Sequence, residues 1–348
     1  MIDIIQPLFS VIIPTYQVGD YLEACLSSVE QQTEQHFEVL CVYDDSSDRT
    51  KHIIEEFCSR DGRFFCVMGQ KRGLSGARNI GMERARGKYT IFLDGDDMLI
   101  PTALEKLRTT FEISRAEMIV FGATWFPDDV VASVYIRKTL SPRDRVYNGD
   151  CVKCIFHEQS AKPFVWRDAF KTSFLNNHGI KFNESVQVAE DVVFQFAVFA
   201  RVKCVCFMKS PLYRYRIYRK QSLMSKYSGD LLVRLQGHIY AIQVVLDDWR
   251  QINLLQRYGK DLSIWMMDFI FGTDLEALPE VLRRNICEQT LKFCEEAVSE
   301  SLKKFPYYAR QIQKMLKSNC IQAHDLSFAF RISRKGYHLM GKLRSFKY

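Results

Sequence analysis

The sequence predicts an α/β fold: a wound, mostly parallel sheet flanked by helices, with a helical C-terminal extension. Three observations carry that expectation. Up to Pro101, short apolar runs alternate with segments whose apolar residues recur at helical spacing. Proline, glycine or aspartate punctuates the runs. From Leu231 onward the pattern turns helical, with long segments such as Leu231–Trp249 and Ile286–Ala297. Strand–helix alternation of the first kind implies a parallel sheet with helices on both faces.

Taken in order, Phe9-Ser-Val-Ile-Ile-Pro14 is an apolar run ended by proline, the mark of a buried strand. Gly19-Asp20 precedes a helix over Tyr21–Val29, and Phe37–Val42 forms a second strand. Asp44-Asp-Ser-Ser-Asp48 is a polar turn leading into a helix over Thr50–Phe57, and Phe64–Met68 is a third short strand. Ser75 is placed to cap a helix that runs through Arg86 and ends at Gly87. Tyr89–Leu93 is a fourth strand, and Pro101 opens another helix at its favoured first position. The section from Met118 to about Tyr218 is mixed and richer in strand signals. Ser225-Lys-Tyr-Ser-Gly229 breaks the pattern and sets a domain boundary near Ser225.

The chain has 348 residues, enough for about two domains. Hydrophobic residues make up 47% and charged residues 26%, a mix that excludes disorder, collagen-like repeats and heptad fibres. The formal net charge of +7 is uneven: Val281–Tyr348 holds 14 Lys and Arg against 5 Asp and Glu. The rest of the chain is therefore slightly acidic. No run reaches the roughly 18 apolar residues of a membrane span, and Val192–Met208 is broken by Gln195, Arg201 and Lys203. The N-terminus lacks the basic and apolar regions of a signal peptide. Eleven cysteines, mostly in apolar runs, fit reduced buried thiols and a cytoplasmic location. Cys151-x-x-Cys154 with Cys204-x-Cys206 is a zinc candidate, but the second pair has the wrong spacing and the structural reading is the default.

In a wound parallel sheet, ligands bind beyond the carboxyl ends of the strands, near the point where strand order reverses. Pro14-Thr15-Tyr16 follows the first strand, Asp44-Asp45-Ser46-Ser47-Asp48 the second and Asp94-Gly95-Asp96-Asp97 the fourth. The middle cluster also reads as turn and cap chemistry. The third is harder to dismiss: three carboxylates in four residues repel one another, and a helix cap needs only one. A divalent cation compensates them, since hard oxygens suit Mg2+ or Mn2+. Gly95 lets the backbone turn sharply there. Glu190-Asp191 precedes a very apolar segment, and reads either as the favourable acidic start of a helix or as a general base at the rim of a pocket.

Together these residues resemble a known family. Ser10-Val-Ile-Ile-Pro-Thr-Tyr16, Val42-Tyr-Asp-Asp-Ser-Ser-Asp-Arg-Thr50, Gly73-Leu-Ser-Gly-Ala-Arg-Asn79, Gly87-Lys-Tyr-Thr-Ile-Phe-Leu-Asp-Gly-Asp-Asp97 and Glu190-Asp191-x-x-Phe194 are similar to the ordered signatures of inverting family 2 glycosyltransferases of the GT-A fold. The resemblance covers roughly residues 8–220. It implies a GT-A domain over 1–225, with a nucleotide-binding half (1–110) and an acceptor half (111–225), before a basic, mainly helical region over 226–348. It implies that Pro14, Thr15 and Tyr16 line the nucleotide pocket and that Asp44 hydrogen-bonds uracil. Arg78 falls near the diphosphate, Asp94 and Asp96 are the metal-binding Asp-x-Asp pair with Asp96 favoured as the direct ligand, and Asp191 is the catalytic base. Trp166 and Pro211–Arg216 resemble acceptor-side features. The implied cofactor is Mn2+ or Mg2+, the donor a UDP-sugar, and the acceptor a glycan or lipid-linked glycan of cell-surface polysaccharide synthesis.

Two positions depart from the family: Gln17 replaces the usual Asn, and Asp45 the usual Gly of Asp-Gly-Ser. The Gln-x-x-Arg-Trp signature of processive synthases is not evident, which argues against continuous polymer extrusion. The tail Phe330–Tyr348 mixes basic and aromatic residues, and reads either as a peripheral contact with the inner membrane face or as a solvated helix packed on the body. No nucleic-acid motif accompanies the charge. A sugar nucleotidyltransferase would need a glycine-rich basic loop, and a dinucleotide oxidoreductase G-x-G-x-x-G, where Pro14-Thr-Tyr-Gln-Val-Gly19 stands. A non-catalytic carbohydrate-binding relative would be expected to lack Asp96 or Asp191, and both are present.

Overall fold

The computed structural model describes residues 6–161, 164–217, 230–273 and 275–299. The boundary expected near Ser225 and the basic tail Phe330–Tyr348 lie outside the described residues. By compactness the chain divides into two units, Met1–Lys220 and Gln221–Tyr348.

The first unit opens with the alternation β1 (Phe9–Thr15), α1 (Leu22–Glu30), β2 (Phe37–Tyr43), α2 (Thr50–Arg60), β3 (Phe64–Met68), α3 (Gly73–Arg84) and β4 (Tyr89–Phe92). It continues through β5 (Met98–Leu99), α4 (Ala103–Ser114), β6 (Met118–Phe126), α5 (Val134–Thr139), β7 (Arg145–Asn148), α6 (Val152–His157), β8 (Asp168–Lys171), α7 (Thr172–Asn177), α8 (Glu190–Phe199) and β9 (Cys204–Arg216). Among the described residues these strands form one sheet in the order β3-β2-β1-β4-β8-β6-β9-β5, with β7 paired to β9.

β1 lies parallel to both β2 and β4, with Phe9 opposite Phe37 and Tyr89, and β2 lies parallel to β3. Strands covered on both faces read as continuous apolar runs, and every residue of β2 is buried. Strand order reverses between β1 and β4, because β2 and β3 lie to one side of β1 and β4 to the other. A wound sheet opens its ligand crevice at such a point. β8 runs antiparallel to both β4 and β6, and β9 parallel to β6. The C-terminal ends of β1, β4 and β9 and the N-terminal end of β8 therefore share one edge. Phe92 of β4 is fully buried, its ring 6.2, 5.4 and 6.1 Å from those of Phe170, Phe182 and Phe194. That aromatic cluster holds α8 against the sheet.

The opposite edge is tied by a buried carboxylate. The Ser10 hydroxyl and the Arg86 amide both donate to Glu38 Oε1 at 2.6 Å, and Arg86 Nε donates to Oε2 at 2.8 Å. The Gly87 amide donates to Ser10 Oγ at 2.8 Å.

Several helix boundaries differ from the expectation. Ser75 does not cap α3, which begins at Gly73, where φ of +70° suits glycine, and Ser75 is buried inside the first turn. The same helix ends at Arg84 rather than at Gly87, because Ala85 is already extended. Gly87 has another reason to be glycine: an added Cβ would lie 2.4 Å from the Ser10 nitrogen and 2.6 Å from the Phe9 carbonyl carbon. Pro101 stands in a turn closed by the Ala103 amide donating to the Ile100 carbonyl at 3.0 Å, so α4 starts at Ala103.

The second unit contains α9 (Leu231–Gln251), α10 (Leu255–Phe271) and α11 (Glu280–Ser299), as the helical spacing predicts. They pack on one another, with Leu235, Ile242, Trp249, Leu262, Met266 and Leu291 buried. Among the described residues no helix is long and apolar enough to cross a membrane. Gly87→Ala is expected to destabilise the first unit by about 2–3 kcal/mol, because strand backbone rather than a side chain must yield. The check is a lower urea midpoint at unchanged slope.

Candidate active site

Asp94-Gly95-Asp96-Asp97 leaves β4 as a tight turn, in which the Asp97 amide donates to the Asp94 carbonyl at 3.0 Å. Gly95 is pressed against the end of β1, where an added Cβ would lie 3.1 Å from Val18 Cγ2 and 3.4 Å from the Pro14 carbonyl oxygen. The three carboxylates then part. Asp94 and Asp96 are half-buried, whereas Asp97 is buried. Asp97 Oδ2 accepts from the Tyr213 hydroxyl at 2.7 Å and Oδ1 from the Arg216 amide at 2.6 Å. Burial pushes the Asp97 carboxyl well above its usual range, and Asp96 and Asp94 add to the push.

α3 delivers Arg78 to the same place. The side chain is buried, and Nη1 donates to Asp191 Oδ1 at 2.8 Å and to Glu190 Oε1 at 3.4 Å. Nη2 donates to Asp94 Oδ1 at 3.1 Å. Burial works against the Arg78 charge, but Asp191, Asp94 and Glu190 outweigh it and hold the guanidinium above its ordinary pKa. Glu190 and Asp191 form the first turn of α8, where the helix dipole favours negative charge. The acids do start a helix, and both accept from Arg78. Burial raises the Asp191 carboxyl, Arg78 pulls it down and Asp94 pushes it up, and the balance stays above the ordinary value. Glu190 is likewise raised by burial and then by Asp191, against the pull of Arg78.

The residues expected around a nucleotide stand at the ends of β1 and β2. Pro14 is half-buried and Tyr16 is 56% exposed. Thr15 is buried, and its hydroxyl donates to the Val42 carbonyl at 3.0 Å, so it ties β1 to β2 instead of facing outward. Gln17 has φ of +50°, a left-handed conformation that asparagine adopts more readily. Asp44 is half-buried over Gly69, and Oδ1 accepts from the Lys71 amide at 2.9 Å. Asp45 is exposed. Asp48 serves the turn: its carboxylate accepts from the amides of Gly19 at 2.8 Å and Thr50 at 3.2 Å.

Pro211–Arg216, expected on the acceptor side, also braces the acidic turn. Trp166 stacks on Tyr213 and Tyr215 at 4.4 and 4.9 Å between centroids. Arg216 Nε donates to the Asp96 carbonyl at 2.9 Å, and its guanidinium lies over Tyr21 and Phe126. Sequence reasoning missed three partners. In the sequence Asp97 is indistinguishable from its neighbours, and neither Tyr213 nor Asn79 carries a signal of its own partner. Asn79 Nδ2 donates to the Phe182 carbonyl at 2.9 Å and Oδ1 accepts from the Phe182 amide at 2.8 Å, so α3 grips the chain just before α8. The alternation of Tyr213 and Tyr215 along one strand face was the available signal for the aromatic stack.

Cys151, Cys154 and Cys206 are buried thiols and Cys204 is half-buried. Burial pushes Cys151 and Cys206 up to about 11. Among the described residues no three His, Cys, Asp or Glu side chains gather as a ready-made metal cage. Arg78→Met would strand Asp94, Glu190 and Asp191 without their shared cation. Removing one partner of such a buried set costs about 3 kcal/mol or more, and thermal or urea unfolding of the variant checks it.

The family described as Glycosyl transferase family 2 matches residues 10–194. EpsH of Bacillus subtilis (strain 168), named as a glycosyltransferase, is 26% identical over 264 residues, 75% of this chain and 74% of EpsH. TuaG of the same strain, named as a teichuronic acid biosynthesis glycosyltransferase, is 40% identical over 102 residues, 29% of this chain and 40% of TuaG. The crystal structure of S. aureus TarS 1-349 in complex with UDP-GlcNAc matches the fold with a TM-score of 0.65 at 16% identity, covering 94% of this chain and 92% of that one. The architecture is that of the GT-A fold, and the family match spans more than half of the chain. This chain belongs to glycosyl transferase family 2.

Proposed function

We propose that the chain transfers a hexosyl group from a UDP-sugar to a hydroxyl of a glycan or lipid-linked glycan, by single displacement with inversion. The observation that carries this reading is the Arg78 bridge, which joins the acidic turn after β4 to Asp191 at the ligand-binding edge of the sheet. The TarS fold neighbour holds UDP-GlcNAc, which supports the donor class. TuaG is named for teichuronic acid biosynthesis, which supports a setting in cell-surface polysaccharide synthesis, on the cytoplasmic side of the membrane. The half up to residue 110 would bind the nucleotide and the half from 111 the acceptor.

The donor set fits Mn2+ or Mg2+. Such a cation takes hard oxygens, commonly one or two carboxylates with substrate phosphates and water completing the shell, and Asp94 and Asp96 both reach the edge. Asp96 is the proposed direct ligand of the pair, as the family's Asp-x-Asp pattern implies, while Asp94 accepts from Arg78. When bound, the cation would offset the charge that builds on the departing diphosphate.

The remaining roles fall to the chain itself. Pro14, the Thr15 backbone and Tyr16 would line the nucleotide pocket, and Asp44 would accept from uracil through Oδ2 while Oδ1 holds the Lys71 amide. Arg78 would keep Asp94 and Asp191 at a fixed separation and lend positive charge near the leaving group. Asp191 would take the proton from the acceptor hydroxyl as its oxygen attacks the anomeric carbon from the face opposite the diphosphate. Because the displacement is single, no enzyme nucleophile is needed.

A panel of UDP-, GDP-, CDP- and dTDP-sugars, assayed with and without manganese, tests the reading: slow hydrolysis of a UDP-sugar only in the presence of metal is expected. No turnover with any donor, together with no manganese-dependent UDP binding, would instead indicate a non-catalytic relative. Asp191→Asn should lower transfer by about 10³-fold, within the span typical of general-base loss, while UDP binding persists. The base works only when ionised, so activity is full at high pH and falls as pH drops through its raised pKa. The acid limb of kcat/KM is therefore expected above the roughly 4 of an unperturbed carboxyl, and a limb at or below that value would remove Asp191 from the role.

A further inference from the structure

Asp97 lies beside the proposed cation ligands but faces away from the edge. Its two oxygens accept from the Tyr213 hydroxyl at 2.7 Å and the Arg216 amide at 2.6 Å, both on β9. The Tyr213 hydroxyl in turn accepts from the Asp94 amide at 3.1 Å. Arg216 Nε donates to the Asp96 carbonyl at 2.9 Å. β5, which follows the turn directly, pairs antiparallel with the same stretch, Met98 opposite Arg214 and Leu99 opposite Tyr213. On the other side, Gly95 is wedged against Val18 and the Pro14 carbonyl. The backbone from Asp94 to Asp97 is thus gripped from β9 and from β1 at once.

The geometry points to Asp97 as a positioning residue: acting with Tyr213 and Arg216, it fixes the backbone from which Asp94 and Asp96 present their carboxylates, and is not itself a cation ligand. The inference rests on the reading that Asp94 and Asp96 bind a divalent cation. The physical case is one of freedom removed. A carboxylate on an unbraced surface turn samples several directions, and a cation must then select one of them. Partners behind metal ligands commonly account for 10–100-fold in metal affinity. Asp97 suits this use because both of its oxygens already have donors and its side chain is 1% exposed.

The test titrates manganese into the full-length protein saturated with UDP, following the loss of the free-ion electron paramagnetic resonance signal. UDP affinity without metal and the melting temperature are measured alongside. Tyr213→Phe deletes only the hydroxyl that links Asp97 to the Asp94 amide. It is expected to weaken manganese binding about tenfold, with metal-free UDP affinity unchanged and the fold intact. Asp97→Asn should behave alike, at most matching Tyr213→Phe. If Asp97 were a ligand, Asp97→Asn would abolish binding while Tyr213→Phe kept wild-type affinity, and that result overturns the inference. Manganese affinity unchanged in both variants overturns it equally. Should Tyr213→Phe fail to fold, half-buried Arg216 decides: Arg216→Lys loses the Nε bond to the Asp96 carbonyl, so a rise of about threefold in the manganese dissociation constant supports the inference and no rise overturns it. Wild-type protein that takes up no manganese with UDP would remove the cation reading and this inference together, an outcome distinct from unaltered variants.

Discussion

A single buried guanidinium sets the geometry on which the site depends. Taking a charge out of water costs several kcal/mol, and Arg78 is placed where three carboxylates from two distant stretches offset that cost. The arrangement requires α3, the turn after β4 and the first turn of α8 to converge. Sheet order supplies the first two, since β4 lies next to β1 at the reversal point. Aromatic packing of Phe92 on Phe170, Phe182 and Phe194 supplies the third, and the Asn79 clamp on Phe182 fixes its approach. The packing of the core and the placement of charge are therefore one constraint expressed twice.

Identical side chains take different roles here because their surroundings differ. Asp94 shares Arg78, Asp97 is enclosed by Tyr213 and the Arg216 amide, and Asp191 is balanced between burial and a cation. Separation of carboxylates by environment is what would let one site serve the base and the metal-binding pair proposed here.

Much of this was legible in the sequence, and the parts that were not share a cause. β3 falls where its apolar run predicts, although it is partly exposed; β1, β2 and β4 differ only at their ends, since buried strands need unbroken apolar runs. Ser75 misled because its side chain resembles a cap, whereas the start of α3 depends on the backbone angle of Gly73. The Asp-Gly-Asp-Asp stretch stands out in the sequence as a crowd of carboxylates, but which acid turns inward does not, because the deciding hydroxyl is on Tyr213, more than a hundred residues further along the chain. That Glu190 and Asp191 start a helix was legible, but not that both accept from Arg78, over a hundred residues earlier. Long-range partnership is what a local pattern cannot encode.

The buried tie among Glu38, Ser10, Arg86 and Gly87 gives the two edges of the sheet unequal tolerance of change. At the tied edge Glu38, Ser10, Arg86 and Gly87 are committed to one another, and Gly87 leaves no space for even a methyl group. At the other edge, loops carry the residues proposed to meet ligands, and the strands beneath hold their ends at fixed spacing. On the proposed function, descendants of such a chain could exchange the loops after β6 and before β8 and acquire new acceptors while the foundation stays as it is. Variation between relatives should accordingly gather on one rim of the sheet, and invariance on the other.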